Sequence, residues 1–385
     1  MSAQLILTLN AGSSSLKFGL YEAGGEPRAL MGGTAELGES ALLRLEGESS
    51  TRPLASGTHR EAVRAVLDLA GERADGRTVA GIGHRIVHGG EHFTEPAVLG
   101  DRSVERLREL VPLAPLHQPH NLAAVDAARA AHPGAVQVGC FDTAFHRTQP
   151  PVEDRYALPA ELLEAGVRSY GFHGSSYAFV AGELRRTTPD IAGGRVIVAH
   201  LGNGASMCAL REGRSVASTM GFSPLDGLVM GTRSGSLDPA VVLYLVDRGM
   251  SAREIEALLY RRSGLLGVSG LSHDMRALEA AASDGHEGAT LAISMFCHRA
   301  RRSIGSLAAA LGGLDAVVFT GGIGENSSTV RAGICEGLGW MGVTVDGEAN
   351  AANARDIGAG AVRVMVLATD EERVIARAAM AALGE

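Results

Sequence analysis

The sequence predicts an α/β protein built from two related domains. Short apolar runs of strand type alternate with amphipathic helical patterns along the whole chain. A strand, Gly/Ser turn, strand unit occurs twice, about half a chain apart. The length of 385 residues also suits two domains at roughly 100–200 residues each.

The first of these units comprises Leu5–Leu9, the turn Asn10-Ala11-Gly12-Ser13-Ser14-Ser15, and Leu16–Tyr21. Helical patterns follow, marked by Val63, Val66 and Leu67 and by Leu107, Leu110 and Val111. Val136, Val138 and Cys140 form a strand that runs into Phe141-Asp142. The second unit comprises Val196–His200, the turn Leu201-Gly202-Asn203-Gly204-Ala205, and Ser206–Leu210. Asp238 caps a helix with Pro239 at its first position, and Gly249 closes it. Ser251 with Glu254, and Thr369 with Glu372, are spaced as capping boxes for two further helices. The run Val318-Phe319-Thr320 enters the glycine-rich stretch Gly321-Gly322-Ile323-Gly324-Glu325-Asn326. Glycine there lets a ligand approach main chain, and the helix start beyond it offers unpaired N–H groups.

Composition narrows the function. Apolar residues at 45% and charged residues at 20% are ordinary for a soluble globular protein, and a net charge of −8 argues against nucleic-acid or anionic-membrane surfaces. Cys140, Cys208, Cys297 and Cys335 are scattered without a C-x-x-C pair, which suits reduced thiols in a cytoplasmic protein. The N-terminus lacks the basic region and cleavage site of a leader, and no apolar run approaches the ~18 residues that span a bilayer. No G-x-x-x-x-G-K-[ST] occurs, and no G-x-G-x-x-G follows a strand.

Several residues could carry chemistry. Lys17 sits beside the first turn, either solvated or on phosphate. Arg85, in Gly83-His84-Arg85-Ile86-Val87-His88-Gly89-Gly90, and Arg233, in Met230–Asp238, lie in apolar or small-residue surroundings. Such a guanidinium either forms an internal salt bridge or grips a carboxylate or phosphate with its fork. Asp142 is either a helix cap or a group working at the carboxyl end of its strand. His173, framed by Gly171 and Gly174, is either structural or catalytic. His88, His92, His117 and His120 lack the spacing and partners of a zinc site. Asp370, Glu371 and Glu372 open the last helix, where acids complement the dipole and one could also take Mg²⁺.

Together these segments resemble the acetate kinase family (acetate and propionate kinases) of the actin-like ATPase superfamily. The resemblance runs in order through Asn10–Phe18, Gly83–Phe93, Ala114–His117, Phe141–His146, Tyr170–Ser176, His200–Ser206, Ser218–Pro239, Ser263–Arg276, Phe319–Ser327 and Thr369–Arg377. It implies duplicated actin-like (ribonuclease H-like) domains flanking a nucleotide cleft that closes on a hinge. The expected N-terminal domain is 1–150, with the helix 370–385 packing back on it, and the second is 151–369. It also implies reversible transfer of the γ-phosphoryl group of ATP to acetate, with Mg²⁺ or Mn²⁺, in a cytoplasmic homodimer.

By the same resemblance Asn10 and Glu371 match metal-associated positions. Lys17, His200, Leu201, Gly202, Asn203, Gly204, Asp274, Met275, Arg276, Gly322, Ile323, Gly324, Glu325 and Asn326 match nucleotide-contacting ones. Arg85 matches the substrate-carboxylate arginine, with Val87, Leu116, Phe172 and Pro224 around the acetate methyl. Asp142, His173 and Arg233 match catalytic positions. Gln118, His120, Ser223, Asp226 and Asp370 depart from the family's usual residues near the site. Two alternatives stand beside an acetate kinase: a propionate kinase on the same frame, and an actin- or heat-shock-like ATPase that moves a partner.

Overall fold

Residues 4–384 are described by a computed structural model, and the chain divides into two compact units. One takes in the chain up to Phe145 and again from Asp370 onward; the other runs His146–Thr369.

The first unit holds an eight-stranded sheet. Its strands are β1 (Leu5–Ala11), β2 (Ser15–Glu22), β3 (Arg28–Glu36), β4 (Leu42–Leu45), β5 (Thr51–Pro53), β6 (Val79–Ile86), β7 (Ala97–Val98) and β8 (Val136–Phe141), in the order β5-β4-β3-β2-β1-β6-β8-β7. β1 and β2 form the expected hairpin, with Leu9 opposite Phe18 and Asn10 opposite Lys17. β1 then pairs in parallel with β6, and β6 with β8.

Side chains alternate across a strand, so each face of this sheet has its own helices. Leu5, Leu7, Leu9, Leu16, Phe18 and Leu20 pack on α1 (His59–Arg73) and α3 (Gln118–Ala131) through Val63, Val66, Ala124 and Ala128. Ile6, Tyr21 and Val138 pack on the C-terminal helix Glu371–Leu383 through Ala376, Ala379 and Met380. Each such aliphatic side chain contributes about 1.5–3 kcal/mol when fully buried. The approach of that helix demands glycine at 83: a Cβ there would lie 2.4 Å from Ile375 Cγ2.

The second unit has five strands: β9 (Arg195–Leu201), β10 (Ala205–Arg211), β11 (Arg214–Ser218), β12 (Ala316–Thr320) and β13 (Arg363–Val366), in the order β11-β10-β9-β12-β13. Here too a hairpin, β9 with β10, is followed by two parallel partners. The repeated pattern of a hairpin and then parallel strands is the duplication expected from the two Gly-rich turns. The α/β class with actin-like units therefore holds.

Two local expectations need correction. The last helix is capped by Asp370, whose side chain accepts from Arg373 N–H, and not by Thr369. Thr369 N–H instead donates to the Glu325 carboxylate, which holds that residue outside the helix. The apolar pattern Leu107–Val111 also outruns its helix, α2 (Asp101–Glu109), and continues as a short 3₁₀ turn containing Pro112, which has no N–H to extend an α-helix. Among the described residues no helix is long and apolar enough to cross a membrane.

Candidate active site

Strand register assembles the first cluster. Asn10 on β1 lies level with Arg85 on β6, which lies level with Cys140 on β8, so the three parallel strands end together. Parity turns Asn10 and Arg85 toward the face that carries the C-terminal helix, whose first residue is Glu371. Asp142 follows β8, its N–H bound to the Ile86 carbonyl. Arg85 Nε and Nη2 donate to the two Asp142 carboxylate oxygens at 2.9 and 2.7 Å, and Nη1 donates to Asn10 Oδ1 at 3.2 Å. Glu371 Oε2 stands 3.7 Å from Arg85 Nε. Of the five N–H groups of a guanidinium, these bonds engage three. One N–H on each terminal nitrogen remains, which is the fork that fits a carboxylate.

Electrostatics sets the character of this cluster. Burial works against the charge on Arg85, but Asp142 and Glu371 outweigh it and raise its pKa further. Arg85 is a permanent cation. Burial pushes the Glu371 carboxyl above its usual range and Asp142 pushes the same way, while Arg85 and Lys17 oppose. Asp142 is taken up by Arg85, which leaves the Glu371 carboxylate with Lys17 as the other cation acting on it, and the donors are all oxygen. That set fits a hard divalent cation taking one or two protein ligands plus phosphate. Lys17, opposite Asn10 in the hairpin, shares this face and is the only lysine of the chain.

The second unit assembles another cluster at its own hairpin. His173 caps the helix Gly174–Thr187 from a left-handed backbone (φ 59°) that a histidine adopts only when its surroundings hold it there. Its Nδ1 lies 2.8 Å from Ser206 Oγ, and Ser206 Oγ lies 2.5 Å from the Tyr177 hydroxyl. The His200 ring stacks on it with centroids 4.3 Å apart, pinned in turn by Ser176 Oγ at 2.8 Å from its Nδ1. A Cβ placed on Gly204 would be 3.4 Å from His173 Nε2 and 3.7 Å from Arg233 Nη1. The glycine therefore leaves main chain, imidazole and guanidinium converging on one spot. Arg233 Nη1 also donates to the Pro224 carbonyl at 3.0 Å. Gly231 N–H donates to the Asn203 carbonyl, and a Cβ at 231 would collide with Asn203 Oδ1, so the Arg233 loop can dock on the turn only through glycine.

The remaining expected residues are distributed as follows. Val87 and Phe172 are buried, as is Pro224, while Leu116 is half-buried just ahead of α3. Gly321–Asn326 is a short helix following β12, with Gly321 at φ 77° where a Cβ would lie 2.8 Å from the Leu201 carbonyl oxygen. The Glu325 carboxylate is engaged in structure, accepting from Gly321 N–H at 2.8 Å and Thr369 N–H at 3.2 Å. Asp274 caps the helix that begins at Met275 and pairs with Arg276, whose bonds hold the Asp274 carboxyl below its usual range.

Sequence reasoning missed the supports of these clusters. Ser206 and Tyr177 orient His173, and neither stood out, because the pairing of Ser206 with His200 depends on the β9–β10 register. Asn121, 2% exposed, accepts from Val87 N–H and donates to the Ala11 carbonyl, tying the ends of β6 and β1 together. Gln118, marked by the sequence only as a departure near the site, is fully buried and bonds both the N–H and the carbonyl of His88. The available signal was a polar residue at core-facing positions of α3, alongside Leu122 and Val125.

The pattern that defines the Acetokinase family matches residues 5–377. The chain is 50% identical over 402 aligned positions to the acetate kinase of Methylocella silvestris, covering all of this chain and 99% of that protein. The crystal structure of Porphyromonas gingivalis acetate kinase superposes with a TM-score of 0.90 at 39% identity, covering 99% of this chain and 100% of that one. A propionate kinase from Francisella tularensis superposes with a TM-score of 0.91 at 37% identity, covering 97% and 98%.

Proposed function

This chain belongs to the acetokinase family, and we infer that it is an acetate kinase that moves the γ-phosphoryl group of ATP directly to the acetate carboxylate, reversibly. The observation that carries the mechanism is the Arg85 guanidinium, held by Asp142 and Asn10 with two N–H groups left over. Those two groups take the carboxylate of acetate, and Val87, Leu116, Phe172 and Pro224 match the family's positions for its methyl.

A carboxylate is already ionised at neutral pH, so the nucleophile needs no general base. Asp142 accordingly fixes Arg85 and removes no proton. Phosphoryl transfer depends on positioning and on cations around the equatorial oxygens. His173 Nε2 and Arg233 Nη1 supply them beside Gly204, with Ser206 and Tyr177 holding the imidazole in place. Lys17, a compact point charge, and the turn His200–Gly204 hold the nucleotide phosphates. Asp274–Arg276 and Gly322–Asn326 hold the rest of the nucleotide. Asn10 and Glu371 would hold Mg²⁺ (or Mn²⁺), which would supply positive charge against the phosphate oxygens.

Acceptor choice tests this reading. One methylene alters binding by only about 1–3 kcal/mol, so preference is a ratio of kcat/KM values. A hydroxamate assay with acetate, propionate and butyrate is expected to rank them in that order. A higher kcat/KM on propionate would make the protein a propionate kinase, and ATP turnover undiminished without any carboxylate would make it a partner-moving ATPase.

The active form is a homodimer in the cytoplasm. The four free thiols are all buried, as suits a reducing compartment. The helix Pro239–Asp247 buries no residue, yet exposes Leu243 at 65%, Tyr244 at 55% and Val246 at 51%. A second copy of the chain, meeting this face about a two-fold axis, covers the same patch on both partners. Leu243→Glu is expected to shift the mass seen by light scattering from two chains to one. An unchanged mass would exclude this face as the dimer contact.

A further inference from the structure

We propose that the cavity between α1 and α3 binds a small phosphate monoester with a flat apolar body, and that its occupant acts on the Asn10–Ser15 turn through His59. The cavity measures about 990 Å³ and lies on the α1/α3 face of the sheet, opposite the face that carries Arg85 and Glu371. Sites for small organic ligands run from about 300 to 1,000 Å³.

The lining divides into an apolar wall and a basic rim. Ala123, Ala127 and Ala130 present one flat stripe of α3, with Leu37 beside it. His59, Arg60 and Arg64 from α1, His120 from α3, and Ser13 and Ser14 from the turn surround it. The His59 and His120 rings stack with centroids 5.1 Å apart, a ready face for an aromatic ring. Asp126 is the one acid in the lining among the described residues, and both its oxygens are bound to Arg108. Arg64 reaches Asp68 only at 3.9 Å on an exposed surface, and Arg60 has no acid paired with it among the described residues. The rim therefore carries one arginine, Arg60, without a matching acid among the described residues, and a second, Arg64, in a single exposed ion pair. The start of α1 adds the positive end of a helix dipole. Burial, with His59 beside it, holds the His120 pKa below its ordinary value. A phosphate would favour the charged imidazole instead.

The connection to the site is a single bond. His59 Nε2 lies 2.7 Å from the Gly12 carbonyl oxygen, which can only accept, so this nitrogen carries the hydrogen. Gly12, two residues beyond Asn10, in turn closes the turn by donating its N–H to the Ser15 carbonyl. A ligand that engages His59 thus alters what holds the turn. The effect on turnover rests on the reading that Asn10 serves the reaction; binding itself does not.

The test uses the full chain with saturating Mg-ADP, so that the nucleotide segments are occupied. Phenyl phosphate is titrated by calorimetry, with inorganic phosphate and benzyl alcohol as separate arms for head group and body. Phenyl phosphate is expected to bind with a Kd below about 1 mM, and each half at least about tenfold more weakly. The double variant Arg60→Ala/Arg64→Ala should melt as the wild type does, keep its kcat and KM in the absence of the ester, and lose at least about tenfold in affinity. In the wild type, but not in the variant, phenyl phosphate should change kcat or the KM for ATP. No binding at about 10 mM, equal affinity in the variant, or displacement by Mg-ADP would overturn the site. Binding with unaltered turnover would overturn the coupling through His59. A wild type inactive on acetate would instead sink the functional reading and leave the calorimetry standing.

Discussion

Arg85→Ala is expected to lower kcat/KM for acetate by about 10³ or more, equivalent to roughly 4 kcal/mol of transition-state stabilisation. The substitution removes the fork that would take the acetate carboxylate. It also strips Asp142, which is 1% exposed, of both its charged hydrogen bonds, and Asn10 of one. Unpairing a buried carboxylate costs about 3–5 kcal/mol, so folding is checked by melting before the kinetics are read. Arg85→Lys separates charge from geometry. It keeps a cation but offers no planar fork, and it should remain at least about 100-fold impaired.

A pH readout accompanies this result. Arg85 opposes the burial that raises Glu371, so its loss pushes that carboxyl higher still. The carboxylate form then prevails only at higher pH, and the acid limb of the Mg²⁺-dependent rate should move upward in Arg85→Ala but not in Arg85→Lys, which keeps the opposing charge. A folded Arg85→Ala enzyme within tenfold of wild-type kcat/KM would remove this residue from the site.

Arg331→Met should carry the largest loss of stability. Arg331 is fully buried with no carboxylate paired to it among the described residues, and all five of its N–H groups are engaged by neutral oxygens. Nε and Nη2 bond the side chain and carbonyl of Asn350, Nη2 also bonds Asn353 Oδ1, and Nη1 bonds the carbonyls of Gly324 and Glu325. The last two end the short helix Gly321–Asn326, where carbonyls without intrahelical partners attract a cation. Methionine fills the volume but deprives five acceptors of a donor. The expected cost is about 3–5 kcal/mol, or roughly 10 °C in Tm for a unit of this size. ADP affinity should fall with it if Gly322–Asn326 holds nucleotide. Lysine, with three donors at one point, should not restore the melting temperature. A variant melting within about 2 °C of wild type would show the network to be dispensable.

What could be read early was local. The two hairpins, the Ser251–Glu254 capping box and the Asp238 cap all depend on residues within a few positions of one another, and all occur as expected. Arg85 and Asp142 could be singled out for a related reason: a charge set among strand residues or at a strand end needs a partner. That each partners the other could not be read, because 57 positions separate them. Arg331 gave no warning at all; in Ser328–Cys335 it reads as an ordinary solvent-facing helix arginine.

The amino-acid order alone therefore determined the α/β class, the repeated hairpin with its glycine turn, and the residue types able to grip anions. Glycine, proline and capping side chains act through backbone dihedrals and near neighbours, and these are properties of short segments. Tertiary structure decided the rest. The parallel register of β1, β6 and β8 brings Asn10, Arg85 and Asp142 to one level, and side-chain parity turns the first two toward Glu371. The β9–β10 register sets Ser206 under His173. Register and parity arise from burying whole faces of a sheet against helices distant in sequence, so no local pattern encodes them.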